Sequence, residues 1–197
     1  MAKSNCGSFQ AAVPGPALDL APPAGFIEIC GKDKALCEEL TSGYPPSVKT
    51  VGYFLTPLEW QRYRQGRSIG FTRYLIAQVA GSTSPSEFSK LKNYIRSRQG
   101  DIPDSTDLPP SFNSSGQSNL GVFEDTNDAI AIGVIMKLQS AKPKVLADVV
   151  MASTNIAFVT KKRLLSLYVF VDVTSRPRAA PAKQLTREWL QCLRSAK

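Results

Sequence analysis

Histidine is absent from all 197 residues. Its absence removes the side chain that ordinarily moves protons near neutral pH, the commonest zinc ligand, and every Ser-His or Cys-His nucleophile pair. Long apolar runs are missing as well. The longest, around Leu164 to Val171, falls far short of the roughly 18 residues that cross a bilayer as a helix, so no transmembrane segment is expected. No two of the four cysteines sit at two-residue spacing, which with no histidine leaves neither a zinc motif nor a redox pair. There is no G-x-S-x-G, no phosphate-loop lysine motif and no G-x-G-x-x-G. No cofactor and no metal are expected, and no catalytic constellation is visible.

What is present suits one core. Hydrophobic residues make up 43% of the chain, enough for a single α+β domain over residues 26–197. Residues 1–25 are rich in Pro, Ala and Gly without periodicity and read as a disordered tail. No positively charged start followed by an apolar stretch appears at the N-terminus. Yet "AAVPGPALDLAPPAGF" (11–26) has the style of a leader that follows a removed signal. "KSNC" lacks the small and apolar residues that precede a lipid-attachment cysteine.

Charge is distributed unevenly. Residues 1–136 hold 12 Lys and Arg against 13 Asp and Glu, a net of −1, whereas residues 137–197 hold 12 against 3, a net of +9. A basic C-terminal third points to an anionic partner, whether nucleic acid, a charged membrane surface or an acidic protein.

Local grammar places the elements. Helices are expected at 33–41, with Leu36 and Leu40 on one face and Gly43 as its stop, and from Pro57 to about Gly66. A third starts at Pro85 with Phe88, Leu91 and Ile95 as its apolar stripe. The second and third open with capping boxes, Thr56/Glu59 and Ser84/Glu87, each with proline at the first helical position. Strands are expected in "VKTVGYFL", "SIGFTRYLIAQVAG", "NLGVFED", "AIAIGVIMKLQ", "VLADVVMASTNIAFV" and "LLSLYVFVDV". The fourth of these puts Ile130, Ile132, Val134, Met136 and Leu138 on one face and the small residues Ala129, Ala131 and Gly133 on the other, where a helix can pack closely. Residues 100–119 read as a long polar loop. A last helix from about Pro181 presents Leu185, Trp189, Cys192 and Leu193 inward.

Candidate functional residues are few. "EWQRYRQGRSIGFTRY" (59–74) interleaves four arginines with four aromatics, a composition that can hold single-stranded nucleic acid. At helical spacing, however, Trp60 and Tyr63 share what is ordinarily the core face, leaving Arg62, Arg64 and Arg67 toward solvent. Arg73 opens the next strand. Lys161, Lys162 and Arg163 form a hairpin tip, the densest basic point available to an anionic partner. Four cysteines admit three full pairings, and spacing does not choose among them. A Cys30–Cys37 disulfide would tie an extended segment to the first helix; buried free thiols are the alternative. The acidic groups at 124–128 and 101–107 match no calcium loop. "SKLK" has the Ser-x-x-K spacing of Ser89 and Lys92, but lies mid-helix without supporting motifs.

The order of elements in "AIAIGVIMKLQ…VVMASTNIAFVTKKRLLSLYVFVDV…LTREWLQCLRSAK" resembles the Mog1/PsbP-like class of small α+β domains. In that class helices flank a largely antiparallel sheet built from a strand meander. The resemblance covers residues 129–197 and transfers no site residue; the architecture expected of the whole domain is a mainly antiparallel sheet of five to seven strands with helices on its faces. "PPAGFIEIC" after a proline-rich leader also resembles, in style, envelope proteins of Gram-negative bacteria. The expected function is a non-catalytic accessory or binding protein of the bacterial envelope, periplasmic or secreted. The alternatives are a cytoplasmic nucleic-acid binder and an enzyme with a cysteine nucleophile.

Overall fold

The computed structural model describes residues 6–14, 17–42, 44, 48–66, 72–98, 112–140, 148–176 and 178–196, the side chains of 112–114 and 140 excepted. In chain order its elements are β1 (Gln10–Ala11), β2 (Leu18–Asp19), β3 (Ile27–Glu28), α1 (Lys34–Thr41), β4 (Lys49–Leu55), α2 (Pro57–Arg64), β5 (Arg73–Ser82), α3 (Pro85–Ser97), β6 (Phe112–Asp125), β7 (Ala129–Ser140), β8 (Val149–Thr160), β9 (Arg163–Asp172) and α4 (Ala180–Ser195). Seven strands form one sheet in the order β3-β4-β5-β9-β8-β7-β6, and β1 and β2 form a separate two-stranded ribbon. Every pairing is antiparallel. The class is α+β, and the C-terminal meander runs from β6 to β9.

Period-two alternation gives the sheet two apolar faces. On one, Leu75, Ala77, Ala129, Ala131, Leu167 and Val169 pack against Leu185, Trp189, Leu190 and Leu193 of α4. The small side chains of β7 serve as the alternation predicts: a Cβ at Gly133 would stand 3.2 Å from Lys183 Cε of that helix. The other face carries Tyr53, Leu55, Tyr74, Ile76, Val134, Met136 and Phe170 beneath Leu36 of α1, with Trp60 and Tyr63 of α2 packed against them. Its aromatics stack across strands, Tyr53 on Tyr74 at 5.6 Å and Tyr74 on Phe170 at 4.5 Å, so they are core side chains and not a platform for bases.

Two expectations are corrected. Residues 6–14 and 17–25 are not a disordered tail. Ala11, Leu18 and Leu20 are buried in the α4-side core together with Phe26. Phe9 meets Phe54 edge-on at 5.5 Å. The segment folds back on itself through Gly7 N–H to Pro22 O and Leu20 N–H to Phe9 O. Its prolines withhold donors, so it pairs at isolated points and never shows the repeat by which a strand is recognised. The second correction concerns the polar loop at 100–119. Residues 112–119 belong to β6, an edge strand whose polar side chains conceal the alternation; positions 100–111 lie outside the described residues.

The cysteines close two bridges, Cys6–Cys192 and Cys30–Cys37. The first fastens the N-terminal segment to α4 and the second ties the turn after β3 to the first turns of α1. Their sequence separations, 186 and 7 residues, rank their expected effects. Loop-closure entropy allows about 5 kcal/mol for the long bridge and about 2 for the short one. Urea unfolding of the Cys6→Ser/Cys192→Ser and Cys30→Ser/Cys37→Ser pairs should show the larger loss in the first; the reverse order would contradict this account.

Candidate functional site

The buried carboxylate of Glu59 organises the first cluster of basic residues. It completes the capping box of α2 with Thr56, as the sequence predicts, and it does more than cap. One oxygen accepts from the backbone N–H and hydroxyl of Thr56. The other accepts from the N–H and hydroxyl of Thr72 and from the Arg73 N–H. Five donors converge on a group that is 5% exposed, so the start of α2 is locked to the start of β5. Exposed Arg62, Arg64 and Arg73 are placed around this lock. Arg64 lies over the Trp60 ring at 5.7 Å, and Arg73 over the Phe26 ring at 5.3 Å. Arg67 lies outside the described residues.

The second basic cluster stands at the other end of the sheet. Arg73 is in register with Val171 and Ser82 with Arg163, so β5 separates the clusters by nine residues, about 30 Å at strand rise. Arg62, Arg64 and Arg73 therefore do not join Lys161, Lys162 and Arg163 in one strip. Lys161 and Lys162 turn the β8–β9 hairpin with positive φ, 47° and 60°. Lys161 contacts Asp19 Oδ2 and Ala17 O at 3.3 Å, and the Arg163 guanidinium donates to Pro14 O. Two of the three tip cations thus hold the N-terminal segment, while Lys162 is exposed.

The acidic group at the β6–β7 turn is likewise absorbed by the fold. Asp125 receives Lys92 at 2.6 Å and Arg96 at 2.7 Å from α3, and Lys92 also donates to Thr126 O, which rules it out as the base of a Ser89–Lys92 pair. Asp128 pairs with Arg194 of α4 at 2.9 Å, and Glu124 faces Arg187 at 3.5 Å. Burial pushes the Asp125 carboxyl up, but the hydrogen bonds and charges of Lys92 and Arg96 outweigh it and hold the group below its ordinary value. Asp101, Asp104 and Asp107 lie outside the described residues. Among the described residues no three acidic or cysteine side chains converge as a metal set.

A cleft of about 380 Å³ opens where the N-terminal segment meets β3 and the turn behind it. Gly7, Ser8, Phe9 and Pro22 form one wall, and Phe26, Ile27, Glu28, Gly31 and Lys32 the other. Each wall adjoins a disulfide: Gly7 follows Cys6, and Gly31 follows Cys30. Glu28 bends back to accept from the N–H groups of Cys30 and Gly31 at 2.8 and 2.9 Å, which shapes the turn and leads into the Asp33 cap of α1. Sequence reasoning missed the cleft because half of it comes from residues read as a tail. The doublet Pro22-Pro23 ahead of Phe26 was the available signal.

No family model and no curated protein matches the chain. Among solved structures it is similar to the Ran-binding protein Mog1p of Saccharomyces cerevisiae, with 12% identity, a TM-score of 0.40 and 94% of each chain covered. The match falls on the fold type that the sequence resembles; a likeness at that score carries no argument about what this chain binds.

Two outcomes check this geometry. Glu59→Gln should destabilise the chain by about 2–4 kcal/mol, because donors built around a carboxylate are left imperfectly paired in a buried site; a loss within experimental error would remove Glu59 as the lock. Asp125 has a folded pKa below its unfolded value of about 3.9. Its stabilisation is therefore complete above that value and is lost as pH falls through the folded pKa. Stability measured from pH 6 down to 2 should fall more steeply in the wild type than in Asp125→Asn, and parallel curves would contradict the assignment.

Proposed function

We propose that the chain is a non-catalytic accessory or binding protein of the bacterial cell envelope, periplasmic or secreted, which docks a protein or an anionic surface. The observation that carries this reading is the pairing of all four cysteines, one bridge spanning 186 positions. Disulfides that fasten distant parts of a small fold persist in oxidising compartments and are rare where thiols are kept reduced. No described helix is long and apolar enough to cross a membrane.

The basic C-terminal third supports the anionic side of the reading. Lys162, Arg176 and Arg178 are exposed, whereas Arg187 is tied to Glu124, Arg194 to Asp128 and Lys161 to Asp19. The exposed group offers contacts that steer an acidic partner and weaken as salt rises. The separation of the two basic clusters along β5 works against a continuous nucleic-acid track.

The test is a thiol count on unreduced protein from its native host, by alkylation and intact mass with and without reductant. Two intact disulfides are expected. Four alkylated cysteines in unreduced protein would overturn the compartment and with it the reading.

A further inference from the structure

The cleft and the edge of the sheet coincide. β3 is the terminal strand on its side, and Ile29 N–H donates to Tyr53 O at 2.9 Å. Antiparallel pairing alternates, so the N–H and C=O of Glu28, one residue earlier, point away from β4 toward the outer edge. Ile27 and Glu28 also line the cleft. One place thus offers a main-chain donor and acceptor beside a recess walled by Phe9, Pro22 and Phe26. The opposite edge differs: β6 carries register shifts at Ser114/Gly116, Asn119/Val122 and Val122/Glu124, irregularities that blunt an edge against strand pairing. β3 is only two residues long, so its outer edge offers the single outward N–H and C=O pair of Glu28, enough to anchor one residue of an added strand.

We propose that this cleft is a peptide-docking site. It receives an extended segment of a partner protein that adds to the outer edge of β3, seats one aromatic or aliphatic side chain against Phe9, Pro22 and Phe26, and turns a carboxylate toward Lys32. Main-chain pairing supplies affinity in strand addition, and pockets for alternate side chains supply selectivity. The choice of an acidic neighbour follows from charge. Glu28 keeps its negative charge but directs both carboxylate oxygens onto the N–H groups of Cys30 and Gly31, so exposed Lys32 is the charged side chain left to donate to a ligand carboxylate. The volume suits a single large side chain of a longer ligand, standing at the low end of the roughly 300–1,000 Å³ of self-sufficient small-molecule pockets. The disulfides beside both walls preorganise the site, which reduces the ordering cost of a weakly held segment. The inference rests on the reading of the chain as a binding protein and names the partner's chemistry.

The probe is a library of random heptapeptides panned against the full oxidised chain, with enriched peptides mapped by backbone amide shifts. Enriched peptides should share an apolar or aromatic residue with Asp or Glu two positions away, and should shift Gly7, Ser8 and Phe26 to Lys32. N-methylation of alternate peptide amides, which deletes donors but keeps side chains, should weaken binding about tenfold or more. Lys32→Glu should weaken the acidic peptides about three- to tenfold without changing thermal unfolding. Absence of enrichment, shifts that map elsewhere, or N-methylated peptides that bind equally well would each overturn the site. Shifts that map elsewhere would leave the binding-protein reading standing, and the thiol count addresses that reading independently.

Discussion

The attachment of the N-terminal segment to α4 is the constraint on which the rest depends. A single sheet needs both faces covered, and α4 covers only part of one. Trp189 is fully buried between that helix and Phe54, and Leu18, Leu20 and Phe26 complete the layer beside it. These residues lie in a proline-rich stretch with few backbone hydrogen bonds of its own, so local propensity does not hold them in place. The Cys6–Cys192 bridge and the apolar contacts do. Without them the core would open at one end, and the cleft would lose the wall formed by Gly7, Ser8, Phe9 and Pro22.

Electrostatics in this molecule acts mainly within the fold. Glu59 joins α2 to β5, Asp125 joins α3 to the β6–β7 turn, Asp128 joins that turn to α4, and Lys161 joins the β8–β9 tip to Asp19. Each is a charge from one element placed among donors or acceptors of another, and most are partly exposed. Apart from buried Glu59, such pairs individually contribute little to stability; their role here is to set which ends of which elements meet. The positive charge left for partners is correspondingly smaller than the sequence total suggests, and it sits in separate patches.

Legibility from the sequence followed how local the determining physics is. Both capping boxes were readable because cap, proline and glutamate fall within four residues and satisfy each other. The β7 faces were readable because alternation of isoleucine, valine and methionine with alanine and glycine is a period-two signal in itself. The first half of β6 was not, since "NSSGQSN" is polar throughout and carries no apolar alternation. The N-terminal segment was illegible for a related reason: its buried leucines and phenylalanines sit at irregular intervals in an irregular chain. The basic residues could be named from the sequence, but their separation could not, because it depends on the register of β5 against β9. The partner of Cys192 was likewise a question of tertiary structure that spacing leaves open.

The central claim is that residues 6–14 and 17–26 are a structural wall of the domain and of its cleft, and backbone amide hydrogen exchange on the oxidised chain tests it most directly. The Gly7 and Leu20 amides, bonded to Pro22 O and Phe9 O, should exchange far more slowly than unstructured amides and should lose that protection in Cys6→Ser/Cys192→Ser. Exchange of both at the unstructured rate in the oxidised protein would contradict the account, returning these residues to a loose tail and removing one side of the cleft.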